Sequence, residues 1–168
     1  LKKRQGLLFA RDGRTRPGGI QLVAPDAQLA WDAETEARLR GILGELATPG
    51  APPRIRGVRE AIHVPGTLAG EGETQVFLAT GDDSAASIIV ASAPGLPRRW
   101  GFSFSEVVAN PTGTPPRDTL AWYRLACFLP ADLPRGANLS ASRADWAQAD
   151  SDYRFIRREL GPCPRTRS

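Results

Sequence analysis

The chain contains no methionine, one histidine and two cysteines, and this scarcity limits the chemistry that it can support. A structural zinc site needs about four Cys or His ligands at short, regular spacings, which three isolated residues do not provide. The absence of Met at position 1 predicts that Leu1 is not an initiator and that the chain is a processed or trimmed form. A removed signal peptide, a removed membrane anchor or an engineered start would each explain it.

Long apolar runs are also absent. No stretch approaches the roughly 20 apolar residues that a membrane-spanning helix needs, so we expect a soluble chain. The 168 residues, 41% hydrophobic and 24% charged, have the composition of a folded protein and suffice for a core without a metal. The glycine-rich segments match neither a phosphate loop nor a dinucleotide fingerprint, so we predict no cofactor.

The net charge of +4 is concentrated at the N-terminus. Residues 1–16 carry one acidic residue against six basic ones, which are Lys2, Lys3, Arg4, Arg11, Arg14 and Arg16. This predicts a basic arm at residues 1–18, in front of a single domain at residues 19–168. Such an arm suits contact with the phosphates of an anionic polymer or with a membrane surface, or it is a solvated juxtamembrane tail.

Four consecutive β-strands are predicted at residues 74–80, 86–92, 100–109 and 120–129, after an earlier strand at 55–64. The turn at residues 81–84 favours an antiparallel hairpin between the first two. In the third, Trp100, Phe102 and Phe104 alternate with small residues, which indicates core filling or an aromatic platform for sugars or bases. Two short apolar runs at 6–11 and 19–24 indicate a loose hairpin or two edge strands.

Two helices are predicted at residues 32–47 and 142–160. Asp32 is a typical N-cap for the first, and Ser142 with Asp145 resembles a capping box for the second. Both segments carry an apolar stripe at helical spacing. The sequence therefore predicts a single α+β domain, with a mostly antiparallel sheet of five to seven strands covered by these two helices. The alternative is a β-sandwich with peripheral helices.

Cys127 and Cys163 are the two cysteines of the chain. The first lies on the predicted strand at 120–129, and the second follows the last helix directly. A disulfide between them would close a loop of about 36 residues, which the chain-entropy model values at roughly 3–4 kcal/mol. The bridge would place the protein in an oxidising compartment, periplasmic or extracellular. Free thiols would favour the cytoplasm.

His63 is the only histidine and hence the only candidate for a histidine-based catalyst. Such a catalyst needs an orienting acid and usually a nucleophile, and the candidates are Glu60, Asp82, Asp83 and Ser84. Because its neighbours in sequence are Ile62 and Val64, we interpret His63 as an outward-facing strand residue. A hydrolase with a site near His63 is the alternative.

Three proline-rich loops are predicted at residues 93–99, 110–117 and 130–139. Prolines stiffen these loops, which makes them candidate recognition surfaces. They carry four candidate interaction residues, Arg98, Arg99, Arg117 and Arg135. We therefore predict a non-enzymatic secreted, periplasmic or membrane-tethered accessory protein that binds a protein partner through these loops. The alternatives are a binder of anionic polymers, such as nucleic acid or acidic glycan, and the hydrolase.

Overall fold

The computed structural model describes residues 4–13, 18–105 and 113–163 of the chain. The chain divides into two compact units, Leu1–Gly44 and Glu45–Ser168. Four basic residues of the predicted arm lie outside the described residues, namely Lys2, Lys3, Arg14 and Arg16. The predicted division into an arm at 1–18 and a domain at 19–168 stays a prediction. In the described part of the chain, no helix has both the length and the apolar character that crossing a membrane requires.

The first unit contains two short antiparallel ladders. Strand β1 (Gly6–Leu8) pairs with β4 (Gln28–Ala30), and β2 (Ala10–Asp12) pairs with β3 (Ile20–Leu22). The strands predicted within 6–11 and 19–24 are therefore present, and β2 and β3 form the hairpin.

Helix α1 (Ala33–Leu46) begins where the sequence predicts. The carboxylate of Asp32 accepts a hydrogen bond from the backbone N–H of Thr35 at 2.7 Å, which satisfies a free donor of the first turn. None of the residues of α1 is buried. The helix is thus confirmed, whereas its predicted packing on the sheet is not shown.

The second unit is built on a four-stranded antiparallel sheet with the order β5-β6-β7-β8. Its strands are β5 (Ile55–Pro65), β6 (Gly72–Thr80), β7 (Ser87–Ser92) and β8 (Arg99–Ser103). Together with the helices, this sheet confirms the predicted α+β class. The predicted strand at 100–109 ends earlier, at Ser103, and its residues 106–109 lie outside the described residues.

The strand predicted at residues 120–129 is wrong, because this segment is helix α2 (Leu120–Phe128). Thr119 caps it, since its hydroxyl accepts a hydrogen bond from the backbone N–H of Trp122 at 3.2 Å. The buried residues Trp122, Leu125, Ala126 and Leu129 follow the spacing of one helical face. The segment also lacks Val, Ile and Thr, the β-branched residues that favour strands.

The core lies between one face of the sheet and two helices, α2 and α3 (Arg143–Leu160). Helix α3 packs on β5 and β6, and α2 packs on β5. The buried side chains of the sheet include Val76, Ile88 and Val90, and those of the helices include Leu125 and Ile156. The aromatic stripe of the third predicted strand contributes to this core, since Trp100 is buried and Phe102 and Phe104 pack against it. This supports core filling.

Both ends of α3 are fixed as the sequence predicts. The Ser142–Asp145 capping box is present at its start, and Gly161 follows its end with a left-handed φ of +71°. Cys127 and Cys163 form a disulfide with a Cα–Cα distance of 5.0 Å. The predicted bridge is therefore confirmed, although Cys127 lies on helix α2 and not on a strand.

Candidate binding clefts at one end of the sheet

Two clefts lie side by side at one end of the four-stranded sheet, where β5 and β7 end and β6 and β8 begin. Antiparallel connectivity brings the β5–β6 and β7–β8 connections to this same end. We call the larger cavity, of about 730 Å³, the first cleft and the smaller one, of about 440 Å³, the second cleft. Six residues line both, namely Pro65, Glu71, Gly72, Ser92, Ala93 and Leu96.

The first cleft lies on the sheet face that points away from α3. Paired residues of neighbouring strands share a face, and Val64, Glu73, Ala91 and Arg99 pair in this order across the four strands. All four line the first cleft, together with the proline-rich loop after β7. The wall is therefore partly apolar and carries both signs of charge.

The connection between β5 and β6 forms the opposite rim and is held by its own hydrogen bonds. The carboxylate of Glu71 accepts the backbone N–H groups of Thr67 at 3.1 Å and of Leu68 at 3.2 Å. Gly66 N–H donates to the carbonyl of Glu71 at 2.8 Å. These bonds close the loop on itself, so the rim is preorganised.

The second cleft lies on the helix side of the sheet. His63 and Arg98 line it from the sheet side, and Ala144, Asp145 and Gln148 line it from the first turns of α3. A helix and a sheet therefore face each other across this opening.

A buried polar network lies beneath the second cleft. The Nδ1 atom of His63 is 2.8 Å from the hydroxyl of Thr74, and this hydroxyl donates to Oδ2 of Asp152 at 2.5 Å. The other carboxylate oxygen, Oδ1, accepts from Gln148 Nε2 at 3.0 Å and forms an ion pair with Arg98 Nη1 at 3.4 Å. His63, Thr74 and Asp152 are only 7%, 0% and 1% exposed. The network is therefore shielded from solvent except near His63 and Arg98.

The interpretation of His63 as an outward-facing residue is wrong. His63 pairs with Thr74 on the face that α3 covers, because the hydroxyl and the carboxylate beyond it satisfy the imidazole in the interior. The predicted partners do not lie beside it: Glu60 is on the opposite face, and the turn at 82–84 is at the opposite end of the sheet. The predicted hydrolase stays a prediction, now with an orienting group that the sequence did not indicate.

Asp152 is the residue of this network that the sequence analysis does not identify, although the sequence carries a signal for it. Ala149, Tyr153 and Ile156 belong to the apolar stripe of α3, and Asp152 falls on the same face at helical spacing. An acidic residue inside such a stripe predicts a buried carboxylate that needs donors. The sequence does not identify those donors.

The loop after α2 forms hydrogen bonds along the outer edge of β5. Asn138 forms a parallel bridge with Ala61 on β5, and the hydroxyl of Ser140 accepts the backbone N–H of His63 at 3.0 Å. In turn, this hydroxyl donates to the side-chain oxygen of Asn138 at 2.8 Å. The end of the predicted recognition loop at 130–139 therefore covers the outer edge of β5.

The four predicted interaction arginines are not brought together. Arg98 pairs with Asp152, and Arg99 lines the first cleft. Arg117 lies over the ring of Trp122 at 5.5 Å, and Arg135 begins a short 3₁₀ helix (Arg135–Ala137). A different group lines one cavity of about 510 Å³ at the end of α3, namely Arg154, Arg157 and Arg158. Their spacing of three and four residues places them on one helix face, a signal that the sequence carried.

Within residues 4–13, 18–105 and 113–163, no group of three or more His, Cys, Asp or Glu side chains is placed to hold a metal ion. The buried phenol of Tyr153 donates to the carbonyl of Pro130 at 2.8 Å, and burial raises its pKa above the ordinary value. This tyrosine therefore stays protonated and stabilises the core. Comparison with protein-family models, curated proteins and solved structures gives no significant match.

Proposed function

We propose that this protein is a non-enzymatic accessory protein of an oxidising compartment that binds another protein through the two clefts. One observation carries the proposal: both clefts share a rim formed by the proline-rich loop at residues 93–98, as predicted for a recognition loop. At the tip of this loop, Leu96 is 64% exposed. Val64, which is 56% exposed, lines the first cleft together with Leu96, and exposed apolar side chains grouped at a cavity are typical of a surface that a partner covers.

The disulfide supports an exported location. Disulfides persist in the periplasm and outside the cell, whereas the reducing cytosol keeps thiols free. The bridge between Cys127 and Cys163 therefore favours a periplasmic, secreted or membrane-tethered protein over a cytoplasmic one.

The partner that fits these walls is an extended peptide segment with an apolar side chain. Val64, Ala91 and Leu96 offer apolar surface in the first cleft, while Glu73 and Arg99 offer one charge of each sign. Proline in one rim and the Glu71 hydrogen bonds in the other reduce the entropy that ordering these loops on binding would cost.

The proposal is tested by a matched pair of charge substitutions. Leu96→Asp places a carboxylate on the shared rim, and Leu139→Asp places one at a leucine that is 56% exposed and lines neither cleft. Burying a leucine side chain stabilises a complex by about 1.5–3 kcal/mol, which corresponds to roughly 10–100-fold in affinity.

The measurement is the recovery of one crosslinked partner from the exported fraction of the native host, quantified for both variants. The proposal is supported if the amount of recovered partner falls at least tenfold with Leu96→Asp and does not fall with Leu139→Asp. Equal recovery with both variants, or a chain that captures no partner at all, overturns it.

A second candidate function, binding of an anionic polymer, is favoured by the cavity that Arg154, Arg157 and Arg158 line. Arg157 donates to the carbonyl of Ala126 at 3.1 Å, so its guanidinium is held in place at this cavity. With heparin as the probe, we expect affinity to fall steeply between about 50 and 200 mM salt. Arg154→Ala with Arg158→Ala should remove this binding and Arg143→Ala, near the other end of α3, should not. Salt-independent binding would exclude this candidate.

A further inference from the structure

We infer that His63 recognises a main-chain N–H group of the bound partner, and that Thr74 and Asp152 hold its imidazole in the one neutral tautomer that can accept that hydrogen bond. The inference rests on the proposed function, because it names a hydrogen bond by which the second cleft recognises a peptide segment. It makes His63 a binding residue, and Thr74 and Asp152 positioning residues.

The first step is the direction of the hydrogen bonds. A threonine hydroxyl carries one hydrogen, and that of Thr74 is donated to Oδ2 of Asp152 at 2.5 Å. Towards Nδ1 of His63, 2.8 Å away, the same hydroxyl can therefore only accept. Nδ1 must carry the hydrogen, and in a neutral imidazole Nε2 is then the unprotonated nitrogen.

The second step is that this direction cannot reverse. Reversal would need the carboxyl group of Asp152 to donate to Thr74. Its other oxygen faces two donors, Gln148 Nε2 at 3.0 Å and the guanidinium of Arg98 at 3.4 Å. As the ion that pairs with Arg98, the carboxylate of Asp152 has no hydrogen to donate, so both of its oxygens accept and the relay runs from imidazole to hydroxyl to carboxylate.

The third step is that Nε2 is open to the cleft. His63 lines the second cleft, and among the described residues Nε2 has no hydrogen-bond partner. Within the same residues, Ser87 Oγ is the one side-chain atom that is both completely buried and unpaired. The unpaired Nε2 is therefore not sealed in the interior and reaches the opening.

The ring is also fixed in position. It lies against Gly72, where an added Cβ would stand 2.6 Å from Cε1 and 2.8 Å from Nε2 of His63. Glycine allows this close contact between the strand backbone and the imidazole. Since the His63 side chain is only 7% exposed, little of the ring is open to an incoming group.

The class of ligand follows from what surrounds this acceptor. Arg98 lines the same cleft and is 31% exposed; it pairs with Asp152 and donates to the hydroxyl of Ser151 at 3.2 Å, and its five N–H donors leave some for a ligand. A residue of an extended peptide presents its own N–H and C=O on the same side of the chain, so it can satisfy the acceptor and the donor together. The two acids of the cleft, Glu71 and Asp145, accept hydrogen bonds within their own loop and cap, and they disfavour an anionic ligand.

The tautomer is tested by long-range ¹H–¹⁵N correlation spectra of the ring, which need no assignment because His63 is the only histidine. At a pH where the imidazole is neutral, we expect protonated Nδ1 and unprotonated Nε2. Thr74→Ser should keep this pattern, and Thr74→Val should give a mixture of tautomers. Thr80→Val is the control, since Thr80 lies on the same face of β6 and donates instead to the carbonyl of Ser84.

A wild-type spectrum with a protonated Nε2 overturns the inference, whether or not the valine variant folds. An unchanged spectrum for Thr74→Val overturns it as well, because the relay would then not set the tautomer.

Recognition is tested with a mixed-sequence hexapeptide pool and the same pool N-methylated on its backbone. The unmodified pool should shift the Nε2 resonance, and N-methylation should weaken this effect roughly 3–10-fold, the value of one hydrogen bond. Equal shifts of the Nε2 resonance by both pools overturn the inference. If Leu96→Asp nevertheless abolishes partner capture, the proposed function stands without it. If Leu96→Asp has no effect while the tautomer is as expected, the proposed function fails and the relay is structural.

Discussion

The substitution Asp152→Asn tests whether the buried network stabilises the fold. Asp152 accepts from Thr74 and Gln148 and pairs with Arg98, so three donors converge on its two oxygens. Asparagine has nearly the same shape, but its NH₂ group replaces one of these oxygens. In one orientation the NH₂ group faces the donors of Gln148 and Arg98, and in the other it faces the hydroxyl of Thr74, which must then accept from it and donate to Nδ1 of His63.

The magnitude follows from the groups left without a partner. Loss of a hydrogen bond to a charged acceptor costs about 1.5–3 kcal/mol, and an unsatisfied buried donor costs about 1–3 kcal/mol. Breaking a fully buried ion pair would cost about 3–5 kcal/mol, but Arg98 is 31% exposed and regains hydration. The orientation that faces Thr74 leaves no donor unpaired and loses only the charge of the acceptor, so we expect the free energy of unfolding to fall by about 1–3 kcal/mol.

The assay is urea denaturation with the disulfide intact, in which the midpoint and the slope are compared for the wild type and two variants. Asp150→Asn, on the same turn of α3 but only half-buried, is the matched control and should lie within about 0.5 kcal/mol of wild type. Equal midpoints for the two variants would refute the stabilising role of the network. An altered slope for Asp152→Asn alone would show that the variant changes the unfolded or native ensemble and not only its stability.

Three further predictions concern other parts of the chain. Reduction of the disulfide, which closes a separation of 36 residues, should lower the free energy of unfolding by about 4 kcal/mol, measured by urea denaturation with and without reductant. Gly72→Ala should destabilise the protein by about 1–3 kcal/mol, because its Cβ would overlap the ring of His63, whereas Gly136→Ala has open space and should cost less in the same assay. The pKa of Asp32 should lie below its ordinary value, because Thr35 donates to it through the backbone and the hydroxyl. The stability that this carboxylate contributes is present above its unfolded-state pKa and is lost as pH falls through its lower folded-state pKa. Carboxyl-carbon NMR titration measures the folded-state pKa.

Each of these predictions has a result that contradicts it. Reductant that leaves the unfolding midpoint unchanged would mean that the bridge does not constrain the unfolded chain. Equal losses for the two glycine variants would exclude contact with the imidazole as the cause. An Asp32 titration at the ordinary value would mean that the cap is not formed in solution.

The parts of the fold that the sequence predicts are those set by local chemistry. The capping box at Ser142 and the glycine after Leu160 define α3, and Asp32 defines the start of α1. The sequence analysis misses helix α2 because almost every residue of its segment is apolar, so a strand pattern fits the segment as well as the helical spacing of Trp122, Leu125, Ala126 and Leu129. Thr119 before this segment was the overlooked cap.

The candidate site depends on packing between distant segments, which a single sequence does not determine. Thr74 and Asp152 are 78 positions apart, and they meet only because α3 crosses the sheet over β6. His63 joins them through strand pairing, which fixes its face by register. The position of Asp152 in an apolar stripe indicates burial, but only the docked helix reveals the partner.

The disulfide determines from which end α3 can separate from the sheet. A helix ordinarily loses structure first at its ends. Cys163 follows shortly after Leu160, the last residue of α3, and is bonded to Cys127 of α2. Separation of α3 from the sheet therefore cannot begin at this end unless α2 moves as well. The other end of α3 follows a loop and forms a wall of the second cleft through Ala144 and Gln148. The bridge therefore ties the end of α3 that is distant from the second cleft to α2, whereas the wall of the cleft at the other end depends on the Ser142–Asp145 capping box and on packing against the sheet.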